Sequence, residues 1–83
     1  MKVKVRYFAA LREALGSGEV VEMPPGSSVA DLRDLLLALG GRHAEVLARG
    51  RAVRSALNQT ICDESAALAE SAEVAFFPPV TGG

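Results

Sequence analysis

The residues best suited to chemistry lie at the C-terminus, where Pro78-Pro79 is followed by Val80, Thr81, Gly82 and Gly83. Glycine has no side chain, so a partner's active site can close around the bare backbone of such a stalk. The extended reach of residues 80–83 is about 13 Å. The stalk delivers the carboxylate of Gly83, whose pKa of about 3.5 makes it an anion and a poor electrophile. It becomes reactive only after activation, for example as an acyl-adenylate made from ATP.

Other residue types that often do chemistry are sparse. Cys62 falls in an apolar strand pattern and is interpreted as a small packing residue, and His43 as a surface histidine after a helix stop. One cysteine and one histidine cannot build a metal site unaided, so no metal site is predicted. The carboxylates are scattered, and no acid/base pair can be proposed. The arginines between residues 42 and 54 form a loose basic cluster, and they are Arg42, Arg49, Arg51 and Arg54. This cluster is either a solvated loop or a contact patch for an acidic protein or phosphate.

Length and composition bound the class of protein. The 83 residues are 49% hydrophobic and 23% charged with a formal net charge of −1, which is typical of one small globular domain. The near-neutral charge argues against nucleic acid as a partner. The longest apolar run, residues 35–39, is too short to cross a bilayer, and no membrane partner is expected. A single cysteine excludes an internal disulfide framework and fits a cytoplasmic location.

The first half of the chain predicts two strands and two helices. Residues 2–8 alternate, which predicts a strand with Tyr7 facing inward and Phe8 sharing the outer face with three cations. Residues 9–15 predict a short helix, and residues 19–23 a second strand. Ser28 is a candidate N-cap with Asp31 three residues later, a weak form of the capping box. The main helix that follows ends at Gly40-Gly41, and its predicted apolar face consists of Val29, Leu32, Leu35, Leu36 and Leu39.

The second half predicts strands and two short helical turns, the first at residues 43–48. Residues 52–62 predict one or two strands around Asn58-Gln59, and residues 63–70 a connection with a helical turn near 66–68. Residues 73–77 predict the last strand, in which Val74 and Phe76 face inward and Phe77 faces outward.

This element order predicts an α+β domain with a mixed sheet packed on one main helix. If the first and last strands are neighbours, the fold is the β-grasp, or ubiquitin-like, architecture; a ferredoxin-like fold is the alternative. Residues 1–79 are predicted to form the domain, and residues 80–83 a flexible, extended tail. Phe8 and Phe77 face outward and are predicted to bind a partner. Ile61 joins them if the register of residues 56–62 allows, unless the chain's own loops cover one or more of the three.

The segment FFPPVTGG at the C-terminus, preceded by AEV, resembles the sulfur-carrier small subunits of molybdopterin synthase. ALNQTI at residues 56–61 and FAALREALG at residues 8–16 resemble two further segments of that family. The resemblance extends from end to end, and the family has the β-grasp fold. The chain departs from the family before the last strand, where Glu70-Ser71-Ala72 replaces the usual Asp-Gly-Asp turn.

The resemblance implies that an E1-like enzyme consumes ATP to adenylate Gly83, and that a sulfur donor system then makes a thiocarboxylate. The tail would enter the large subunit of molybdopterin synthase, where the sulfur attacks cyclic pyranopterin monophosphate. Family members form a heterotetramer. The chain itself would be a co-substrate rather than an enzyme, with no stably bound cofactor, because nothing near Gly83 offers a general base or an oxyanion donor.

Three other functions stay open at this point. A sulfur carrier for thiazole or for thiolated tRNA would use the same chemistry at Gly83, although FFPPVTGG together with ALNQTI favours the molybdopterin type. A ubiquitin-like modifier would share the activation step and then form isopeptide bonds with lysines. An interaction module with an inert tail would undergo neither activation nor isopeptide-bond formation.

Overall fold

The computed structural model describes residues 1–79, and the predicted tail of residues 80–83 lies outside them. In chain order the elements are β1 (Lys2–Tyr7), α1 (Ala9–Leu15), β2 (Gly18–Glu22), α2 (Val29–Ala38), α3 (Gly41–Leu47), β3 (Arg54–Leu57), β4 (Thr60–Cys62) and β5 (Glu73–Phe77). Within residues 1–79, no helix has the length and apolar character needed to cross a bilayer.

The five strands form one mixed sheet in the order β2-β1-β5-β3-β4. The first and last strands pair in parallel, with Val5 opposite Val74 and Tyr7 opposite Phe76. The pairs β1–β2, β3–β4 and β3–β5 are antiparallel. This central parallel pair is the arrangement that the element order predicted, and it confirms an α+β domain with the β-grasp fold.

The hydrophobic core lies between one face of the sheet and the helices. Strand residues alternate between buried and exposed, as the period of two requires. Helix α2 supplies most of the helical side of the core, and α1 and α3 each add one buried leucine. The core residues from strands are Val3, Val5, Tyr7, Val21, Val74 and Phe76, and those from the helices are Leu11, Val29, Leu32, Leu36 and Leu47.

Helix α2 begins with the predicted capping box. The side chain of Ser28 accepts from the backbone N–H of Asp31, whose carboxylate accepts from the backbone N–H of Ser28. The predicted apolar face was wrong at its C-terminal end, because Leu39 follows the last helical residue and is 58% exposed. Arg33 instead lies in the buried stripe at 4% exposure.

The second half of the sheet begins with a two-residue hairpin. Asn58 and Gln59 join β3 to β4 with φ angles of 49° and 71°, the left-handed values that a type I′ turn needs at both positions. The helical turn predicted near residues 66–68 was wrong. Ala67 instead forms an isolated antiparallel bridge with Ser28, and the N–H of Leu68 donates to the carbonyl of Ser27. This connection therefore runs extended across the start of α2.

Candidate functional site

The base of the predicted tail is held at the end of the central strand pair. Because β1 and β5 are parallel, their C-terminal ends lie side by side. The ring of Tyr7 stacks on that of Phe76, and the N–H of Phe8 donates to the carbonyl of Phe76 at 3.1 Å. The chain leaves the sheet at Phe77 and continues through the half-buried Pro78-Pro79. The predicted tail residues Val80, Thr81, Gly82 and Gly83 lie outside the described residues.

The sheet face opposite the helices, here called the open face, surrounds this exit. Alternation along each strand, together with the strand registers, determines which residues point outward. They are Gly18, Val20 and Glu22 on β2, Lys2, Lys4 and Arg6 on β1, Glu73, Ala75 and Phe77 on β5, Arg54 and Ala56 on β3, and Ile61 on β4.

The structure places the three predicted docking residues as follows. Phe77 is on the open face and half-buried. Ile61 is 62% exposed and lies opposite Ala56, which resolves the register that the sequence left open. Phe8 is 40% exposed, but it follows the end of β1 as the N-cap residue of α1 rather than belonging to the strand. Arg6 covers its ring at 5.7 Å from the centroid.

A polar cluster that the sequence did not predict joins β1, β2 and α3. The hydroxyl of Tyr7 donates to Glu19 at 2.7 Å, and Nε2 of His43 lies 2.8 Å from the same carboxylate oxygen. Because an ionised carboxylate only accepts, Nε2 of His43 must carry a proton. His43 is thus half-buried and engaged in packing the fold, rather than the free surface histidine predicted from its position after a helix stop.

The cluster shifts the pKa values of two of its groups. Burial, together with the neighbouring Glu19, raises the pKa of the Tyr7 phenol far above its ordinary value of 10.0. Burial by itself raises the pKa of Glu19, but the hydrogen bonds from His43 and Tyr7 outweigh it and hold the pKa below its ordinary value of 4.5. Glu19 is therefore ionised at neutral pH and stabilises the fold in that form.

We expect the free energy of unfolding to fall as the pH drops below about 4.5. A carboxyl whose pKa is lower in the folded chain stabilises the fold above its ordinary pKa, and loses that contribution as the pH falls through the folded value. Glu19→Gln should flatten this profile in denaturant titrations between about pH 3 and pH 7. Glu13→Gln, at an exposed position on α1, is the control. A Glu19→Gln profile as steep as that of the native chain would contradict the assignment.

A second unpredicted cluster lies on the helical side of the domain and links α2 to two loops. The guanidinium of Arg33 donates to the carbonyls of Leu47 at 2.8 Å and Ala48 at 2.7 Å, and it pairs with Glu64 at 2.6 Å. Arg49 pairs with the same carboxylate and with Asp34. The basic cluster predicted at residues 42–54 is therefore not a uniform patch, because Arg49 is engaged within the fold.

The two clusters differ in how far the sequence could have predicted them. Arg33 follows Val29 by four residues and precedes Leu36 by three, a spacing that puts it on the buried stripe of a helix. This spacing could have predicted that Arg33 is buried. Tyr7, Glu19 and His43 come from three separate elements, and no local pattern connects them. The half-buried Cys62 packs against the core as predicted, near the hydroxyl of Ser55.

The described residues around the tail exit suit binding rather than proton transfer. They are the aromatic rings of Phe8 and Phe77, the aliphatic Ile61, and the guanidinium groups of Arg6 and Arg54. Apolar side chains flanked by cations on a sheet face are typical of a docking surface.

Two curated relatives match almost the full length of the chain. A molybdopterin synthase sulfur carrier subunit from Escherichia coli is 38% identical over 98% of this chain and 99% of its own length. A protein of the same name from Mycobacterium tuberculosis is 40% identical over 100% of this chain and 99% of its own length.

Two solved structures have the same fold. In a complex of subunits 1 and 2 of molybdopterin-converting factor from Helicobacter pylori, one chain is 25% identical with a TM-score of 0.70, and both chains are covered fully. Small archaeal modifier protein 1 from Haloferax volcanii is 25% identical with a TM-score of 0.76, over 95% of this chain and 98% of its own. The model of the ThiS family matches residues 5–83, a range that includes the terminal glycines. The chain therefore belongs to the ThiS family.

Proposed function

We propose that the chain is the sulfur carrier subunit of a two-subunit molybdopterin synthase. The observation that carries the proposal is the end-to-end match to two curated sulfur carrier subunits, at 38% and 40% identity. In that function the domain of residues 1–79 docks on the large subunit, and the tail of residues 80–83 enters its active site. The complex is a heterotetramer, and the catalytic groups belong to the large subunit.

The chemistry takes place at the carboxylate of Gly83. An E1-like enzyme joins this carboxylate to the α-phosphate of ATP and releases pyrophosphate. A sulfide equivalent from a sulfur donor then displaces AMP and leaves a thiocarboxylate. In the large subunit the sulfur forms a carbon–sulfur bond with cyclic pyranopterin monophosphate as a carbon–oxygen bond at that carbon breaks, and two such transfers make the dithiolene of molybdopterin. Water cleaves the acyl–sulfur bond, so that the sulfur stays on the pterin and Gly83 regains its carboxylate.

The described domain supports this proposal by what it does for the tail. Residues 73–77 form strand β5, which lies between β1 and β3. The hydrogen bond from the N–H of Phe8 to the carbonyl of Phe76 fixes the end of this strand just before the chain leaves the sheet. Pro78-Pro79 then restricts the direction of the chain, since proline locks its own φ angle. Together they give the tail a rigid base next to the proposed docking residues.

The proposal is tested by intact-mass measurement. After incubation with ATP, the activating enzyme and a sulfur donor, the chain should gain about 16 Da, the replacement of one carboxylate oxygen by sulfur. Adding the large subunit and the pterin precursor should return the original mass and yield molybdopterin. A charged chain that keeps its sulfur under these conditions would contradict the proposal.

We expect Phe77→Ala to weaken binding to the large subunit by about 1–3 kcal/mol while changing stability far less than Phe76→Ala does, because the ring lies on the open face. Phe76→Ala is the matched variant: Phe76 is fully buried, and its truncation should cost about 3–5 kcal/mol of folding free energy. Denaturant midpoints and calorimetric affinities measure the two effects. If both variants fold and bind normally, the docking surface lies elsewhere.

A ubiquitin-like protein modifier is the second candidate, because small archaeal modifier protein 1 has the same fold. Both functions begin with adenylation of the terminal glycine, so the activation step does not separate them. Mass spectrometry of the adducts that the chain forms in its native cell separates the two functions. An isopeptide bond from Gly83 to a lysine marks a modifier, whereas a thiocarboxylate alone marks a carrier. A carrier for thiazole or thiolated tRNA would be charged in the same way but would not return its sulfur to the pterin precursor.

A further inference from the structure

The centre of the open face is lined by two small side chains. Ala56 on β3 and Ala75 on β5 are direct partners in the sheet, and Ala56 is only 8% exposed. Larger side chains border them: Ile61 lies opposite Ala56, and Phe77 lies two residues along β5. Because these two alanines are smaller than their neighbours, the surface forms a shallow apolar depression between bulky side chains.

Two arginines border this depression. Arg6 on β1 is the sheet partner of Ala75, and Arg54 on β3 is the partner of Phe77. Arg6 is half-exposed, and Glu73 lies 3.9 Å from its guanidinium, too far for a strong ion pair. Arg54 is exposed and makes no ion pair with any residue of the described part of the chain.

Charge is distributed unevenly between this face and the rest of the molecule. The whole chain has 10 acidic and 9 basic residues. The open face nevertheless bears four cations against two carboxylates, and they are Lys2, Lys4, Arg6 and Arg54 against Glu22 and Glu73. A partner surface complementary to it must be acidic.

The side chain of Arg6 is already restrained by a neighbouring aromatic ring. Its guanidinium sits over the ring of Phe8, which favours one placement of an otherwise flexible chain. A guanidinium presents several N–H donors in a planar fork, and a carboxylate matches that fork with two hydrogen bonds. The chemistry that best fits both arginines is therefore a pair of carboxylates rather than a polar or apolar surface.

We propose that the docking partner inserts one apolar side chain over Ala56 and Ala75, and that carboxylates flanking this side chain pair with Arg6 and Arg54. This inference rests on the proposed function, and it specifies the chemistry of the surface that the large subunit presents. Apolar contact provides the buried centre of the interface, and the two arginines determine orientation and selectivity at its rim.

The first test reverses the two charges. Arg6→Glu and Arg54→Glu should each weaken binding of the purified large subunit by about tenfold or more, because like charges would then face each other. Raising the salt concentration from about 50 mM to about 500 mM should weaken binding of the native chain, but not that of the doubly reversed chain. Charge-reversed chains that bind as tightly as the native one would overturn the inference.

The matched control is Arg42→Glu, which changes the net charge equally at an exposed position on α3, away from the sheet. It should bind as the native chain does. If Arg42→Glu weakens binding as much as Arg54→Glu, the effect is general attraction between charged molecules, and the specific pairs are refuted.

The second test fills the depression. Ala75→Leu should weaken binding by about tenfold or more, since the added side chain occupies the space of the inserted group. Val20→Leu, on the same face but on strand β2, is the control for added bulk. Thermal unfolding establishes that both variants are folded. Ala75→Leu binding at native affinity would show that nothing inserts there.

Different results would refute the proposed function and this inference. If the native chain does not bind the large subunit at all, the proposed function fails. If the native chain binds, and Phe77→Ala weakens the complex while the arginine and alanine variants do not, the proposed function stands and this inference is wrong.

Discussion

Deletion of Gly83 is expected to abolish adenylation and sulfur transfer while leaving the free energy of unfolding at the native value. The reacting atom belongs to this residue in the proposed function, and Gly82 would present its carboxylate one residue, about 3.5 Å, short of the active site. The buried core extends from Val3 to Phe76, so stability does not depend on the last residue. Pyrophosphate release measures adenylation, intact mass measures sulfur transfer, and the denaturant midpoint measures stability.

Gly82→Ile is the companion variant, since it keeps the terminal carboxylate in place. Its branched side chain would meet the wall of a tunnel that fits bare backbone, so sulfur transfer should collapse while the unfolding midpoint stays the same. Sulfur transfer by the Gly83 deletion at the native rate would refute the carrier function. Full activity of Gly82→Ile would refute only the narrow tunnel.

Arg33→Met is expected to lower the free energy of unfolding by about 2–4 kcal/mol, because it removes a buried guanidinium and leaves its backbone acceptors without a donor. The carbonyls of Leu47 and Ala48 lose their donor, and Glu64 keeps only its more exposed partner. Since a domain of this kind is typically stable by about 5–15 kcal/mol, the loss takes a large part of the total.

Arg49→Met is the matched control at the exposed end of the same network. Its side chain is largely in water, and exposed ion pairs contribute about 0–1 kcal/mol, so its denaturant midpoint should change little. Equal destabilisation by the two substitutions would show that the network acts as a unit rather than through the buried arginine.

Local patterns predicted the parts of the fold that local interactions decide. The capping box at Ser28 and Asp31 involves residues three apart, and the turn at Asn58-Gln59 requires only its own backbone angles. The alternation of residues 73–77 assigned Val74 and Phe76 to the core, because the period of a strand is independent of what covers it. The same alternation placed Phe77 on the open face.

Features that depend on distant parts of the chain were missed. Glu19 accepts from residues 12 positions before it and 24 positions after it, and only the folded sheet brings them together. Residues 66–68 have the composition of a helical turn, but pairing of Ala67 with Ser28 pulls the segment into an extended form. In both cases tertiary contacts decide the structure, and local propensity does not.

The position of β5 has a consequence for how the protein is made. This strand is the last of the sheet to be synthesised, yet it lies at its centre and joins β1 to β3. A nascent chain without it has two separate strand pairs, β1–β2 and β3–β4, and isolated two-stranded pairs are marginally stable at best. Folding must therefore wait until synthesis has passed Phe77, six residues before Gly83.

The need for β5 also separates incomplete products of translation from complete ones. A polypeptide that ends anywhere before β5 cannot close the sheet, so it stays unfolded and open to proteolysis. It has no assembled open face, so in the proposed function it cannot dock on the large subunit without the tail. The central place of the last strand thus makes folding itself a check that synthesis has nearly reached Gly83, the residue that carries the sulfur in the proposed function.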